Sequence, residues 1–92
     1  MGYRVRFSES VAAKFRSFSP ELRQAVSDRL NVIAESPASL SRPACFPYPE
    51  KGMQHFFPAF VDGEDHNITI LFEYASDETS IIVIGIGIVR PG

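Results

Sequence analysis

Tyr3, Val5 and Phe7 alternate with Arg4 and Arg6, so one side of this short run is apolar and the other is charged. Period two of this kind predicts a half-exposed strand. Ser8 then offers an N-cap with Glu9 in the first turn, and Val11, Phe15 and Phe18 recur at four and three residues, which predicts a helix over 9–18. Ser19-Pro20-Glu21 repeats the start signal with a cap, a proline at the first helical position and an acid behind it. The second helix runs over 20–35 with Leu22, Val26, Leu30 and Ile33 as its buried stripe. Pro37 ends it, because the residue before a proline is pushed out of the helical region.

Pro37, Pro43, Pro47 and Pro49 give residues 37–52 a proline density that predicts a long surface connection. Within it Ala44-Cys45-Phe46 is read as a brief edge strand, and Phe46 or Tyr48 as a pin to the core. Met53 to Val61 reads as a strand that Pro58 confines to an edge or a bulge. Asp62-Gly63-Glu64-Asp65 is a turn cluster, Ile68 to Tyr74 the next strand, Ala75 to Glu78 a second turn, and Ser80 to Val89 the last strand. That last segment is apolar on both faces, so it belongs in the middle of the sheet, beside the first strand and residues 68–74. Gly85 and Gly87 share a face, where a missing side chain lets a helix or loop approach closely.

Composition narrows this pattern to one domain over residues 1–92, since a chain this short has no room for a second core. Hydrophobic residues make up 45%, with eight Phe and three Tyr, enough for a compact core without staples. Cys45 is the one cysteine, which excludes an intramolecular disulfide and a multi-thiolate metal cage, and fits a reducing cytoplasm. No stretch approaches the roughly 20 apolar residues of a membrane span, and the N-terminus lacks a signal peptide's apolar run. Residues 1–51 hold eight Lys or Arg against five acids, whereas residues 52–92 hold Arg90 against six acids. Phosphate contacts would therefore have to come from the first half, and strong general nucleic-acid binding is not expected.

The order β-α-α-β-β-β resembles the RelE/ParE toxin superfamily. The residues that carry the resemblance are Tyr3 to Val11, then Leu22 to Pro37, with Arg23, Val26, Leu30, Ile33-Ala34-Glu35 and Pro37 in the spacing of the second helix. Leu71-Phe72-Glu73-Tyr74 and Ile82-Val83-Ile84-Gly85 complete it in the strands. The resemblance implies an α+β, RelE-like fold, a two-helix hairpin packed on one face of a mainly antiparallel sheet. It also implies the toxin of a bacterial toxin–antitoxin pair, of the kind that serves plasmid stabilisation, neutralised by a small antitoxin. Some members cleave mRNA on the ribosome and others poison DNA gyrase. Members that cut RNA display basic and acid–base residues on the open face of the sheet, because the 2′-hydroxyl must lose a proton, the phosphorane charge must be neutralised and the leaving oxygen protonated. Here Thr69 stands where such toxins carry an arginine three residues before the strand aromatic, taken as Phe72. Ile86 or Ile88 stands where they carry a His or Tyr.

The catalytic candidates that remain are Lys51 and Arg90 to stabilise phosphate and His55 or Glu50 to move protons, with Glu73 nearby. For binding, Arg16 and Arg23 belong to a helical face with Lys14 and Arg29 that suits an acidic partner. Phe57 and Phe60 belong to an aromatic cluster with Phe46, Phe56, Phe72 and Tyr74 that helices on one face only partly cover, and an apolar patch of this kind marks an interface with an antitoxin or a second copy. His55 and His66 have no further His or Cys at ligand spacing, so no metal or cofactor is expected. Gly85-Ile86-Gly87 has neither the third glycine nor the following helix of a dinucleotide site. Two functional classes fit, a protein-binding toxin (gyrase-inhibiting or catalytically degenerate) and a ribosome-dependent mRNA endonuclease. An unrelated small α+β interaction domain is the third reading. The missing arginine and terminal His or Tyr, with an acidic second half, favour binding.

Overall fold

A computed structural model of the chain describes residues 2–43 and 52–90. The elements are β1 (Arg4–Phe7), α1 (Glu9–Ser17), α2 (Pro20–Glu35), α3 (Pro37–Leu40), β2 (Arg42–Pro43), β3 (Gly52–Val61), β4 (Glu64–Tyr74) and β5 (Ser80–Val89). They form a five-stranded sheet in the order β1-β5-β4-β3-β2, parallel between β1 and β5 and antiparallel elsewhere. The α+β architecture expected from the sequence is present, with α1 and α2 packed over one face of the sheet. The central place of β5 is also as expected, although β1 flanks it only over Ser80–Val83.

α1 and α2 start where their caps predict. The Ser8 hydroxyl accepts from the Val11 N–H at 3.3 Å, and the Ser19 hydroxyl accepts from the Leu22 N–H at 3.2 Å, each satisfying a donor that the first turn leaves free. Val11, Val26, Leu30 and Ile33 point into the core and meet Phe57, Ile68, Ile70, Phe72, Ile81, Val83 and Ile86 from the sheet. Phe72 is fully buried at the centre of this layer. Burial of one such side chain is worth about 1.5–3 kcal/mol, so this row is the main source of cohesion.

Three sequence readings are corrected. The proline-rich connection is not structureless over 37–43, because Pro37 sits in the first turn of the one-turn α3, where a missing N–H costs nothing. The turn cluster contracts to Asp62 and Gly63, whose positive φ values of 52° and 79° close a two-residue hairpin and release Glu64 and Asp65 into β4. Among the described residues neither a helix nor a loop lies over Gly85. A Cβ there would lie 3.1 Å from Leu71 Cδ1, so the neighbouring strand's side chain lies over it. The expected strand Ala44–Phe46, the pins Phe46 and Tyr48, and Cys45 all fall outside the described residues.

A bulge in β5 sets which residues face the helices. Leu71 pairs with Gly85 and Phe72 with Val83, so Ile84 is the extra residue, and Val83 and Ile86, three apart, are both buried. Pro58 sits in β3 away from Met53 and Gln54, which pair with β2, and no described strand pairs with β3 on that edge at Pro58, so its absent N–H breaks no ladder there.

The β4–β5 turn is held by Asp77, which accepts from the Thr79 N–H at 2.8 Å, the Ser80 N–H at 3.1 Å and the Ser80 hydroxyl at 3.3 Å. These donors, the Thr79 N–H foremost, hold the Asp77 carboxyl below the usual aspartate range. A carboxyl with a lowered folded-state pKa contributes stability above its unfolded pKa of about 3.9 and loses it as pH falls through the folded value. Asp77→Asn is therefore expected to lower the chemical-denaturation midpoint at pH 7. The difference from the parent protein should shrink steadily below about pH 4, and a difference constant with pH would refute this role.

Candidate functional site on the open face of the sheet

Side-chain alternation divides the sheet into a helix-covered face and an open one. Cross-strand rows on the open face are Arg6–Ile82–Glu73, Gly85–Leu71–Gln54–Arg42, Gly87–Thr69–Phe56 and Val89–Asn67–Pro58, followed by Asp65–Phe60. The middle is apolar or neutral and the charges stand at the margins. Phe56 is 61% exposed, Phe60 71% and Val89 61%, and a shallow cleft of about 260 Å³ lies beside Phe56, Pro58 and Asn67.

The catalytic candidates do not converge on this face. Arg90 follows β5 at the hairpin end, with Nε 3.5 Å from Glu64 Oε2 in an exposed ion pair. Glu73 lies on the open face opposite Gly52, six residues along β4 from Asn67, which pairs with Val89. At roughly 3.3 Å per residue this is about 20 Å, beyond what two side chains span around one phosphate. His55 is corrected as an open-face acid or base. It lies on the helix side, 8% exposed, with Nδ1 2.6 Å from the Leu40 carbonyl. A carbonyl only accepts, so Nδ1 carries the proton, and Nε2 is buried without a partner among the described residues. Glu50 and Lys51 lie outside the described residues.

The last-strand positions matched by resemblance also turn inward. Ile86 is buried and Ile88 packs against the core, so the open-face residues at that end of β5 are Gly87 and Val89. Thr69 sits between Phe56 and Gly87. His66 is buried in β4 with Nδ1 3.0 Å from the Glu64 carbonyl. Among the described residues no group of three His, Cys, Asp or Glu side chains is placed to hold a metal ion. No described helix is long and apolar enough to cross a membrane.

The binding candidates are redistributed as well. Phe60 is exposed as expected, but Phe57 is a core residue, 5% exposed, because its parity in β3 turns it toward α2, where the Arg29 guanidinium lies 4.7 Å from its ring centre. Tyr74 and Phe72 likewise point to the helix side. The four helical cations do not form one face. Arg29 is engaged on Phe57, and the Lys14 ammonium donates to the Ile86 carbonyl at 2.6 Å, the side of β5 that β1 no longer covers. Arg16 is exposed at the corner between the helices, where Arg23 Nη1 donates to the Arg16 carbonyl at 3.2 Å. A pairing that the sequence does not announce lies near that corner. The Ser19 hydroxyl donates to Asp62 at 2.5 Å and Glu21 accepts from the Asp62 N–H, which ties the β3–β4 hairpin to the start of α2.

No protein-family model matches the sequence, and no curated protein matches it. Solved structures do resemble the fold. The RelBE2 toxin–antitoxin complex of Mycobacterium tuberculosis matches with a TM-score of 0.70 at 14% identity, over 94% of this chain and 96% of that one. The isolated Escherichia coli RelE toxin matches with a TM-score of 0.68 at 15% identity, over 98% and 87%. The intact E. coli RelBE complex matches at 0.63 and 16% identity, over 97% and 99%. The chain therefore has the RelE-like toxin fold, as the resemblance in its sequence implies.

The placement of Lys14 separates structural from solvated cations. Lys14→Met should leave the Ile86 carbonyl without its donor and cost about 1–2 kcal/mol, whereas Arg16→Met should stay within about 0.5 kcal/mol. Urea denaturation of both variants checks the contrast, and equal losses would contradict it.

Proposed function

We propose that this protein is the toxin of a toxin–antitoxin pair, that it acts by binding a protein target such as DNA gyrase or survives as a catalytically degenerate relative, and that a small antitoxin neutralises it. The RelE-like fold supports the toxin reading, and two of the similar solved structures are toxin–antitoxin complexes. The observation that carries the binding mode is the composition of the open face. With Arg6, Arg42, Glu73 and Asp65 at its margins, the described face presents in its middle, where RNA-cutting members of the superfamily hold acid–base residues, Thr69, Gly87, Val89, Asn67 and Phe56. None of these shuttles a proton near neutral pH or neutralises a dianionic phosphorane. An apolar surface of Phe56, Phe60 and Val89 is instead suited to exclude water against another protein.

The alternative, a ribosome-dependent mRNA endonuclease, would rely on Arg90 and Lys51 as fixed cations. Arg90 is exposed and held only by a surface ion pair, and it would exchange Glu64 for phosphate. Induced expression in bacterial cells separates the two readings through growth. With a binding toxin, Phe56→Ser with Phe60→Ser relieves growth inhibition by 10-fold or more, a loss of roughly 1.4 kcal/mol in target affinity, while Lys51→Ala with Arg90→Ala leaves inhibition within about 2-fold. The opposite pattern, with the cation pair costing about 100–1000-fold, is the signature of catalysis and refutes the proposal.

A further inference from the structure

The helix layer has two ends. One is tied to the hairpin at Asp62, and at the other α2 finishes beside β1, where the Tyr3 N–H donates to the Ala34 carbonyl at 2.8 Å. Beyond that point an open cleft of about 450 Å³ is lined by Tyr3, Tyr74 and Glu78. Its volume lies within the roughly 300–1,000 Å³ of small-ligand clefts. It is separate from the open face, because Tyr74 continues the inward series Ile68, Ile70 and Phe72.

The two tyrosine rings stand 5.5 Å apart, tilted by 57°, and both line the cleft. Phe72 holds Tyr74 from beneath in an edge-on contact at 6.2 Å and 82°, which roots the pair in the core. Tyr74 ionises above the usual phenol range, chiefly through burial and then through Tyr3. Ring faces of this kind attract cations. Glu78 adds a full negative charge from a left-handed backbone position at φ 60°, and it has no ion-pair partner among the described residues.

The end of α2 gives a second, independent reason to expect a cation. Helix C-termini carry partial negative charge and are usually matched by basic side chains in the last turn. This one has no basic residue there and carries Glu35 instead, near Gly2. Arg4 and Arg6 cannot compensate, since their strand parity turns them to the open face.

We propose that the Tyr3–Tyr74–Glu78 cleft receives a basic side chain, arginine or lysine, from a partner protein. The cation rests on the two ring faces, Glu78 is its counter-ion and the α2 terminus adds long-range attraction. Uncharged side chains of the same shape gain little there.

Titration of the full chain with N-acetyl-arginine amide and N-acetyl-lysine amide, followed by NMR of the tyrosine ring protons, tests this directly. N-acetyl-citrulline amide serves as the uncharged isostere. Both cationic probes are expected to shift Tyr3 and Tyr74 together in a saturable, millimolar titration that weakens with added salt, and citrulline to bind at least 10-fold more weakly. Glu78→Gln, on an exposed turn where it leaves the fold intact, should weaken the cationic probes several-fold. Tyr74→Leu should abolish the effect on Tyr3. Equal shifts with citrulline, or a Glu78→Gln titration identical to that of the parent protein, would overturn the assignment.

Discussion

A strand that is apolar on both faces has to be covered on both, and β5 imposes that demand on the rest of the molecule. Its neighbours answer part of it. β4 pairs along it and β1 over Ser80–Val83, α1 and α2 bury Ile81, Val83 and Ile86, and Lys14 satisfies the Ile86 carbonyl where β1 has already turned into α1. The chain described here supplies one helix layer. The second face of β5, with Ile82, Gly87 and Val89, is left to its neighbours Leu71, Thr69 and Phe56 across the sheet. The binding reading rests on this asymmetry, since a face that stays apolar at Phe56, Phe60 and Val89 is costly to keep in water unless a partner uses it.

The two ends of α2 show how differently one helix can be finished. At its start Ser19 both caps the helix and donates to Asp62, and Glu21 accepts from the hairpin backbone, so the helix layer is tied to the tip of the sheet. At its finish the last turn carries Glu35 and no basic side chain, and the Ala34 carbonyl accepts from Tyr3, whose ring lines the cleft with Tyr74 and Glu78. One end is closed on itself. The other has the electrostatics of a site that awaits a cation.

Much of the fold was legible because its signals are local. Ser8 and Ser19 announce their helices by cap chemistry, Val26, Leu30 and Ile33 by spacing, and the two-sided apolar run of β5 by composition. The candidate site was less legible because it depends on parity and register. A strand neighbour at i+1 faces the opposite side, so Phe57 and Phe60 share an aromatic run yet lie on different faces, and His55 turns to Leu40 instead of the open sheet. The Ile84 bulge shifts that parity within β5, and a single inserted residue leaves no mark in an all-apolar segment. The removal of Lys14 and Arg29 from the helical cations is likewise a matter of tertiary partners, Ile86 and Phe57, far away in sequence.

The proposed binding mode turns on an open face whose middle is apolar or neutral, with its charges at the margins. Adding the purified protein to ribosomes that are translating a defined message, and mapping the message for breaks, tests this most directly. A protein that acts by binding leaves the mRNA intact at concentrations that arrest growth in cells. Breaks that depend on the ribosome, and that disappear when Arg90 is replaced by Ala, would contradict it.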